Sequence, residues 1–167
     1  MKWKSAAAVG LVVAGAVVIR TQVIDTVSVS SDSMAPTVCT GGTVLIHKVH
    51  NPTDVAVDDI ITFPNPQDGE PMIKRVVGVA GQRVAIEDAQ LVVDRRPVDE
   101  PYVDHRTIDG VYFGPVTVPA GTVFVMGDHR EVSIDSRAYG PIAISAIKGR
   151  MVAVIRESCE PDPEQPS

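Results

Sequence analysis

Three short segments concentrate the side chains that could exchange protons or attack a carbonyl. The first, Ser30-Ser31-Asp32-Ser33-Met34-Ala35-Pro36-Thr37, clusters hydroxyls ahead of a proline that ends any strand. The second, Met72-Ile73-Lys74-Arg75-Val76-Val77-Gly78, sets two adjacent cations in an otherwise apolar run. The third, Gly127-Asp128-His129-Arg130-Glu131-Val132-Ser133-Ile134-Asp135-Ser136-Arg137, is densely polar and follows the apolar run ending at Met126. A serine hydroxyl becomes a nucleophile only when a base takes its proton, and the usual bases are His and Lys. In a strand, alternate side chains face opposite ways, so one of Lys74 and Arg75 points inward. Lys74 is the better candidate, because an amine can lose its proton and a guanidinium effectively cannot. Taken singly, each segment has a plainer account: a polar loop, an edge strand guarded by a lysine, and a hydrogen-bonded loop.

The elements that must position these residues are strands. Hydrophobic residues make up 44 % of the 167, yet aromatics only 4 %, so the core is built mainly from Val, Ile, Ala and Leu, a composition that favours strands. Short apolar runs broken by Gly, Pro, Asn and Asp place candidate strands at 43–47, 60–63, 72–80, 83–87, 91–94, 122–126 and 150–155. Turn residues separate them at 51–52, 65–66, 81–82 and 119–121, and 141–147 has room for one short helical turn. The expected architecture is one mainly β domain over residues 25–156.

The ends differ from this domain. An uncharged run from 5 to 19 lies between Lys2, Lys4 and Arg20 and is expected to enter a membrane. As a helix it spans only ~22 Å against a hydrocarbon core of ~30 Å, so a spanning anchor must draw in Trp3 and extend to Ile24. Residues 1–24 are accordingly expected to be a cytoplasmic stub and a single transmembrane helix, with residues 25 onward outside the cell membrane. A cleaved secretory peptide is the alternative, but its small residues, Ala14-Gly15-Ala16, sit inside the apolar run. The tail at 157–167 is acidic and proline-rich and is expected to be disordered. Cys39 and Cys159 are too few for a disulfide scaffold and too far apart for a CxxC motif, and whether they pair stays open. The net charge of −6 excludes a nucleic-acid partner on electrostatic grounds.

Together and in this order, the three segments resemble the bacterial type I signal peptidases, proteases of the Ser/Lys kind. Ser31-Asp32-Ser33-Met34-Ala35-Pro36-Thr37 fits that family's S-x-S-M-x-P-T motif and Lys74-Arg75-Val76-Val77-Gly78 its K-R-V-x-G motif. Gly127-Asp128 with Ser133-Ile134-Asp135-Ser136-Arg137 fits its G-D-x-x-x-x-S-x-D-S-R motif. The resemblance implies a compact all-β catalytic domain behind an N-terminal anchor. It makes Ser33 the nucleophile, Lys74 the general base, and the Ser31 hydroxyl with the Ser33 N–H the oxyanion hole. It places Val29, Ser30, Met34, Met72 and Ile73 around shallow substrate pockets, with Ser133 orienting the Lys74 amine and Asp135 paired with Arg137 behind them. It further implies secretory preproteins as substrates, cut after Ala-x-Ala, membrane lipids as surroundings, a monomer, and neither metal nor cofactor.

Some positions depart from the family's commoner pattern. Ser30 stands where Pro is frequent, Asp32 where Gly is, and His129 and Val132 where Asn is usual. A Ser33/His129/Asp128 triad is disfavoured, since adjacent Asp and His rarely supply one and no G-x-S-x-G elbow exists. His47 and His50 lack further metal-ligating partners in sequence. A self-cleaving repressor would share the Ser/Lys device but needs a DNA-binding module where this chain has its apolar run. An inactive membrane-tethered paralogue acting as a binding module would have lost Ser33 or Lys74, and both are present.

Overall fold

The β-branched runs do form strands, eleven among the described residues and all paired antiparallel. The computed structural model describes residues 23–48, 55–104, 112–157 and 159. In chain order the strands are β1 (Ile24–Ser28), β2 (Thr43–Lys48), β3 (Ile60–Pro64), β4 (Pro71–Val79), β5 (Arg83–Glu87) and β6 (Gln90–Val93). They continue with β7 (Arg96–Pro97), β8 (Phe113–Thr117), β9 (Thr122–Met126), β10 (Ile142–Ala143) and β11 (Gly149–Arg156). A one-turn helix, α1 (Ser136–Tyr139), precedes β10, and a 3-10 turn (Ile144–Ala146) follows it.

Seven strands make one sheet in the order β1-β2-β11-β3-β4-β9-β10, and four make a second in the order β7-β6-β5-β8. β4 is therefore an interior strand, flanked by β3 and β9. Opposite β9 its register shifts between Val76 and Gly78, so Val77 is an extra residue. The bulge turns Val77 toward a core shared with Val84, Leu91, Phe124 and Met126, which joins the two sheets. Gly78 is required there, because a Cβ would lie 2.5 Å from Val84 Cγ2. A second core gathers Ile61, Phe63, Val76, Val123 and Val125, and a third Val29, Met34, Val44, Ile46, Ile60 and Ile73.

Five candidate strands recur within two residues of the expected bounds, and the runs at 83–87 and 122–126 recur unchanged. The strands β1, β7, β8 and β10 lie outside the candidate runs, as does α1, which Asp135 caps by accepting a hydrogen bond from the Arg137 N–H. The short helical turn expected within 141–147 is the 3-10 turn Ile144–Ala146, preceded by the two-residue strand β10. Both hairpins of the smaller sheet use two-residue turns with positive φ at each centre, Asp88-Ala89 (52° and 64°) and Asp94-Arg95 (52° and 65°). That geometry favours Asn or Gly, so neither pair reads as a turn in the sequence.

At the N-terminus, Ile24 already opens β1, so the strand takes the residue assigned to the end of the anchor. The rest of the expected membrane segment, residues 1–22, lies outside the described residues, as do residue 158 and the tail from 160. Among the described residues no helix is long and apolar enough to cross a membrane. Cys39 and Cys159 form a disulfide with their Cα atoms 5.1 Å apart. Spacing gave no hint of the pair, because their 120-residue separation closes only through the tertiary fold. Residue 159, expected in a free tail, is thereby fixed to the loop that carries Ser33.

Candidate active site

Ser33 stands at the turn after β1, in a loop closed on itself by several short bonds. The Val38 N–H donates to Met34 O at 2.9 Å, the Ala35 N–H to Asp32 O at 3.0 Å, and the Thr40 N–H to the Asp32 carboxylate at 2.9 Å. Met34, wholly buried, anchors the loop in the core beside Val29 and Ile73. The Ser33 side of this loop meets Lys74, which β4 presents between Ile73 and Arg75. Lys74 Nζ lies 2.7 Å from Ser33 Oγ and 3.0 Å from the Ile73 carbonyl, and Lys74 is only 2 % exposed. Ser31 Oγ is 3.3 Å from Ser33 Oγ, on the exposed side.

Burial governs the amine. Desolvation lowers the Lys74 pKa from 10.5 to about 8, against the carboxylates of Asp135 and Asp128, which pull it upward. Near neutral pH a useful fraction of the side chain is therefore the free amine, able to accept a proton from Ser33 across 2.7 Å. The Asp32 carboxyl is held below its usual range by its hydrogen bonds from Thr40, with the His129 charge a smaller contribution.

Both cations of β4 are buried, contrary to the expectation that only one points inward. Alternation does set them on opposite faces, but groups from outside the sheet cover both: Ser33 meets Lys74, and Asp128 and Tyr102 lie against Arg75. Arg75 is matched by Asp128, to which it donates from Nε at 2.8 Å and from Nη2 at 2.7 Å, and its guanidinium lies 3.8 Å from the Tyr102 ring centre. The Thr37 hydroxyl also donates to Asp128. One carboxylate thus fastens the lysine strand to the serine loop. Burial, with Glu100 close by, pushes the Tyr102 hydroxyl well above its usual range.

A second buried pair joins Arg130 to Glu100, with Arg130 Nη1 2.6 Å from Glu100 Oε2 and Nε donating to Gly127 O at 3.1 Å. Asp135 and Arg137 form the expected pair at 2.8 Å, and Asp135 also accepts from the Gly127 N–H at 3.1 Å. The Ser133 hydroxyl, expected to orient the amine, is buried without a hydrogen-bond partner. It packs against Gly127, where a Cβ would meet Ser133 Oγ and the Ser33 carbonyl at 2.3 Å each, so only glycine allows this approach.

Of the five residues expected at the substrate pockets, Val29, Met34 and Ile73 come together in one cluster. Met72 packs against the second core with Ile61 and Phe63, because it alternates with Ile73 along β4. Ser30 is exposed. Arg75, Asp128, Arg130 and Glu100 had no assigned roles. The first three lie within or beside the quoted motifs, whereas nothing in sequence marks Glu100 as buried. A cavity of about 470 Å³ between β1–β2 and β3–β4, lined by Val27, Ile46, Phe63, Pro64 and Pro71 among others, includes neither Ser33 nor Lys74.

The family model described as signal peptidase, peptidase S26, matches residues 2–156. Signal peptidase I V of Bacillus subtilis is 33 % identical over 160 residues, covering 88 % of this chain and 94 % of that protein. Signal peptidase I of Bacillus caldolyticus is 34 % identical over 136 residues, 74 % of each chain. Signal peptidase I of Mycobacterium tuberculosis is 46 % identical over 87 residues, which span 46 % of this chain but only 30 % of that protein. A crystal structure of a signal peptidase I from Enterococcus faecalis matches with a TM-score of 0.54 and 28 % identity, covering 59 % of this chain and 97 % of the other. With a buried serine–lysine pair held by the three motif segments and a family match over nearly the whole sequence, the chain belongs to the signal peptidase family, peptidase S26.

Proposed function

We propose that this protein is a membrane-anchored serine endopeptidase that removes signal peptides from exported preproteins, cutting after Ala-x-Ala. The observation that carries the reading is the Ser33–Lys74 contact of 2.7 Å around an amine whose pKa burial brings to about 8. In the proposed cycle the neutral amine takes the Ser33 proton as Oγ adds to the scissile carbonyl. The Ser33 N–H and the Ser31 hydroxyl stabilise the oxyanion. The ammonium then protonates the departing amine, which leaves an ester on Ser33. Lys74 next activates water to hydrolyse that ester, releasing the signal peptide and restoring the hydroxyl.

Two open strand edges support the mode of substrate binding. Among the described residues β1 is the end strand of its sheet, paired only with β2. β4 pairs with β9 only from Arg75 to Val79, so next to Met72 and Ile73 its edge away from β3 is unpaired by β9. A preprotein segment adding as a strand between these edges would turn alternate side chains toward Val29, Met34 and Ile73. The segment ahead of β1 serves as a short cytoplasmic stub and a single anchor, the domain stands outside among lipid headgroups, and the protein acts as a monomer. The test is cleavage of a preprotein by the full chain in detergent. Ser33→Ala and Lys74→Ala should each abolish the cut and stay folded, and near-normal turnover by Lys74→Ala would reject the mechanism.

A further inference from the structure

The peptide group between Asp32 and Ser33 has two ends with different neighbours. Its N–H, on Ser33, is the proposed oxyanion donor. Its carbonyl, on Asp32, lies 3.2 Å from the Nδ1 of His129. A carbonyl has no proton to give, so this bond requires the proton on Nδ1. The same residue reaches the next peptide as well, since the His129 N–H donates to the Ser33 carbonyl at 3.2 Å. His129 is itself held, because its carbonyl accepts from the Ser133 N–H at 3.1 Å. One residue of the loop after β9 therefore grips the carbonyl on either side of the Ser33 side chain. Gly127, two residues earlier, lets that loop come close enough to do so.

An amide is planar, so fixing the direction of its C=O fixes the direction of its N–H. It is also polarisable, and a hydrogen bond accepted at oxygen makes the N–H a stronger donor. We infer that His129 is a positioning residue for the oxyanion hole: by bonding the Asp32 carbonyl it sets the direction and strength of the Ser33 N–H, which it never touches. The inference rests on the proposed roles of Ser33 and its N–H. Asn, usual at this position in the family, offers the same device, because its Nδ2 and the Nδ1 of His both stand one bond beyond Cγ. Leucine puts a methyl at that place and donates nothing.

The experiment uses the full-length protein in detergent, with a preprotein substrate and two peptides ending in the Ala-x-Ala sequence. One peptide ends in an aldehyde, which adds to Ser33 and places an oxyanion-like oxygen in the hole, and the other in the corresponding primary alcohol, which does not. Removing one donor outright typically costs ~100 to 1,000-fold, so weakening it through His129→Leu should lower kcat about tenfold, with KM within about twofold. Aldehyde affinity should fall by a similar factor and alcohol affinity stay as in the wild type. His129→Asn should restore most of both losses. If the leucine variant melts early, the asparagine variant still decides, since near-wild-type kcat and aldehyde affinity are required of it. Wild-type kcat in a folded His129→Leu, a kcat loss without a matching loss of aldehyde affinity, or an asparagine variant as impaired as leucine would overturn the inference. Full activity of Ser33→Ala would instead overturn the reading beneath it.

Discussion

Replacing Lys74 by methionine separates the cost of keeping a catalytic amine buried from its benefit. Met has about the same length and no charge. The wild-type side chain titrates near 8 in the folded protein and at 10.5 when exposed, so the folded state binds its proton less well than the unfolded state. A depressed lysine pKa therefore opposes folding at low pH, and stability rises with pH wherever the unfolded chain holds more protons. The 2.5-unit difference between those values corresponds to about 3 kcal/mol at pH 7 and below, about 2 kcal/mol at pH 9, and under about 1 kcal/mol at pH 10.5. Against this, methionine forfeits the bonds to Ser33 Oγ and the Ile73 carbonyl, together about 1 to 2 kcal/mol at any pH. Lys74→Met should thus be inactive and more stable by about 1 to 2 kcal/mol at pH 7, with the advantage falling by about 3 kcal/mol by pH 10.5. Urea unfolding of both proteins across this range measures it, and other titrating groups cancel in the difference. A difference that stays constant between pH 7 and 10.5 would refute the account of the amine.

The same amine sets the rate: kcat/KM should rise with a single ionisation near pH 8, and a profile already flat from pH 5 would exclude a lysine base. Asp128→Asn removes a charge that favours the ammonium, so the midpoint should move below 8; it also weakens the hold on buried Arg75, where losing a partner typically costs ~3 to 5 kcal/mol. Thermal melts and a pH–rate series on this variant check both effects. Substrates with Phe in place of the Ala before the cut should be cleaved at least about fivefold more slowly, since overpacking against Val29, Met34 and Ile73 costs ~1 to 3 kcal/mol. Equal cutting in a peptide series would reject those residues as pocket walls.

What the sequence reveals here depends on whether a signal is local. Ser33 and Lys74 could be picked out because each sits in a contiguous motif segment and the three segments resemble one family only in their joint order, whereas a lysine in an apolar strand alone reads equally as an edge guard. The burial of Arg75 could not be, because alternation leaves one face of a strand open to solvent unless distant segments cover it, and here that cover comes from Thr37, Tyr102 and Asp128. The Glu100–Arg130 pair is hidden for the same reason, its partners being brought together only by the packing of the two sheets. At Asp88-Ala89 and Asp94-Arg95 the failure is of another kind. The hairpins form through strand pairing on both sides, and the turn residues are carried into positive φ rather than selecting it.

The bond between Cys39 and Cys159 joins positions 120 apart in sequence, and the loop it closes holds Lys74 and the Arg75–Asp128, Arg130–Glu100 and Arg137–Asp135 pairs, while Ser33 lies just outside. In a chain-entropy description, a cross-link over so long a loop removes about 5 kcal/mol of freedom from the unfolded chain. Such a link ordinarily persists only where thiols are not kept reduced. A newly made chain still in the cytoplasm would lack it, and so would lack the tie between its last strand and the loop that carries its nucleophile. Under the proposed topology the enzyme gains its final stability on the side of the membrane where its substrates emerge, so maturation of the protease and its first encounter with substrate share one compartment.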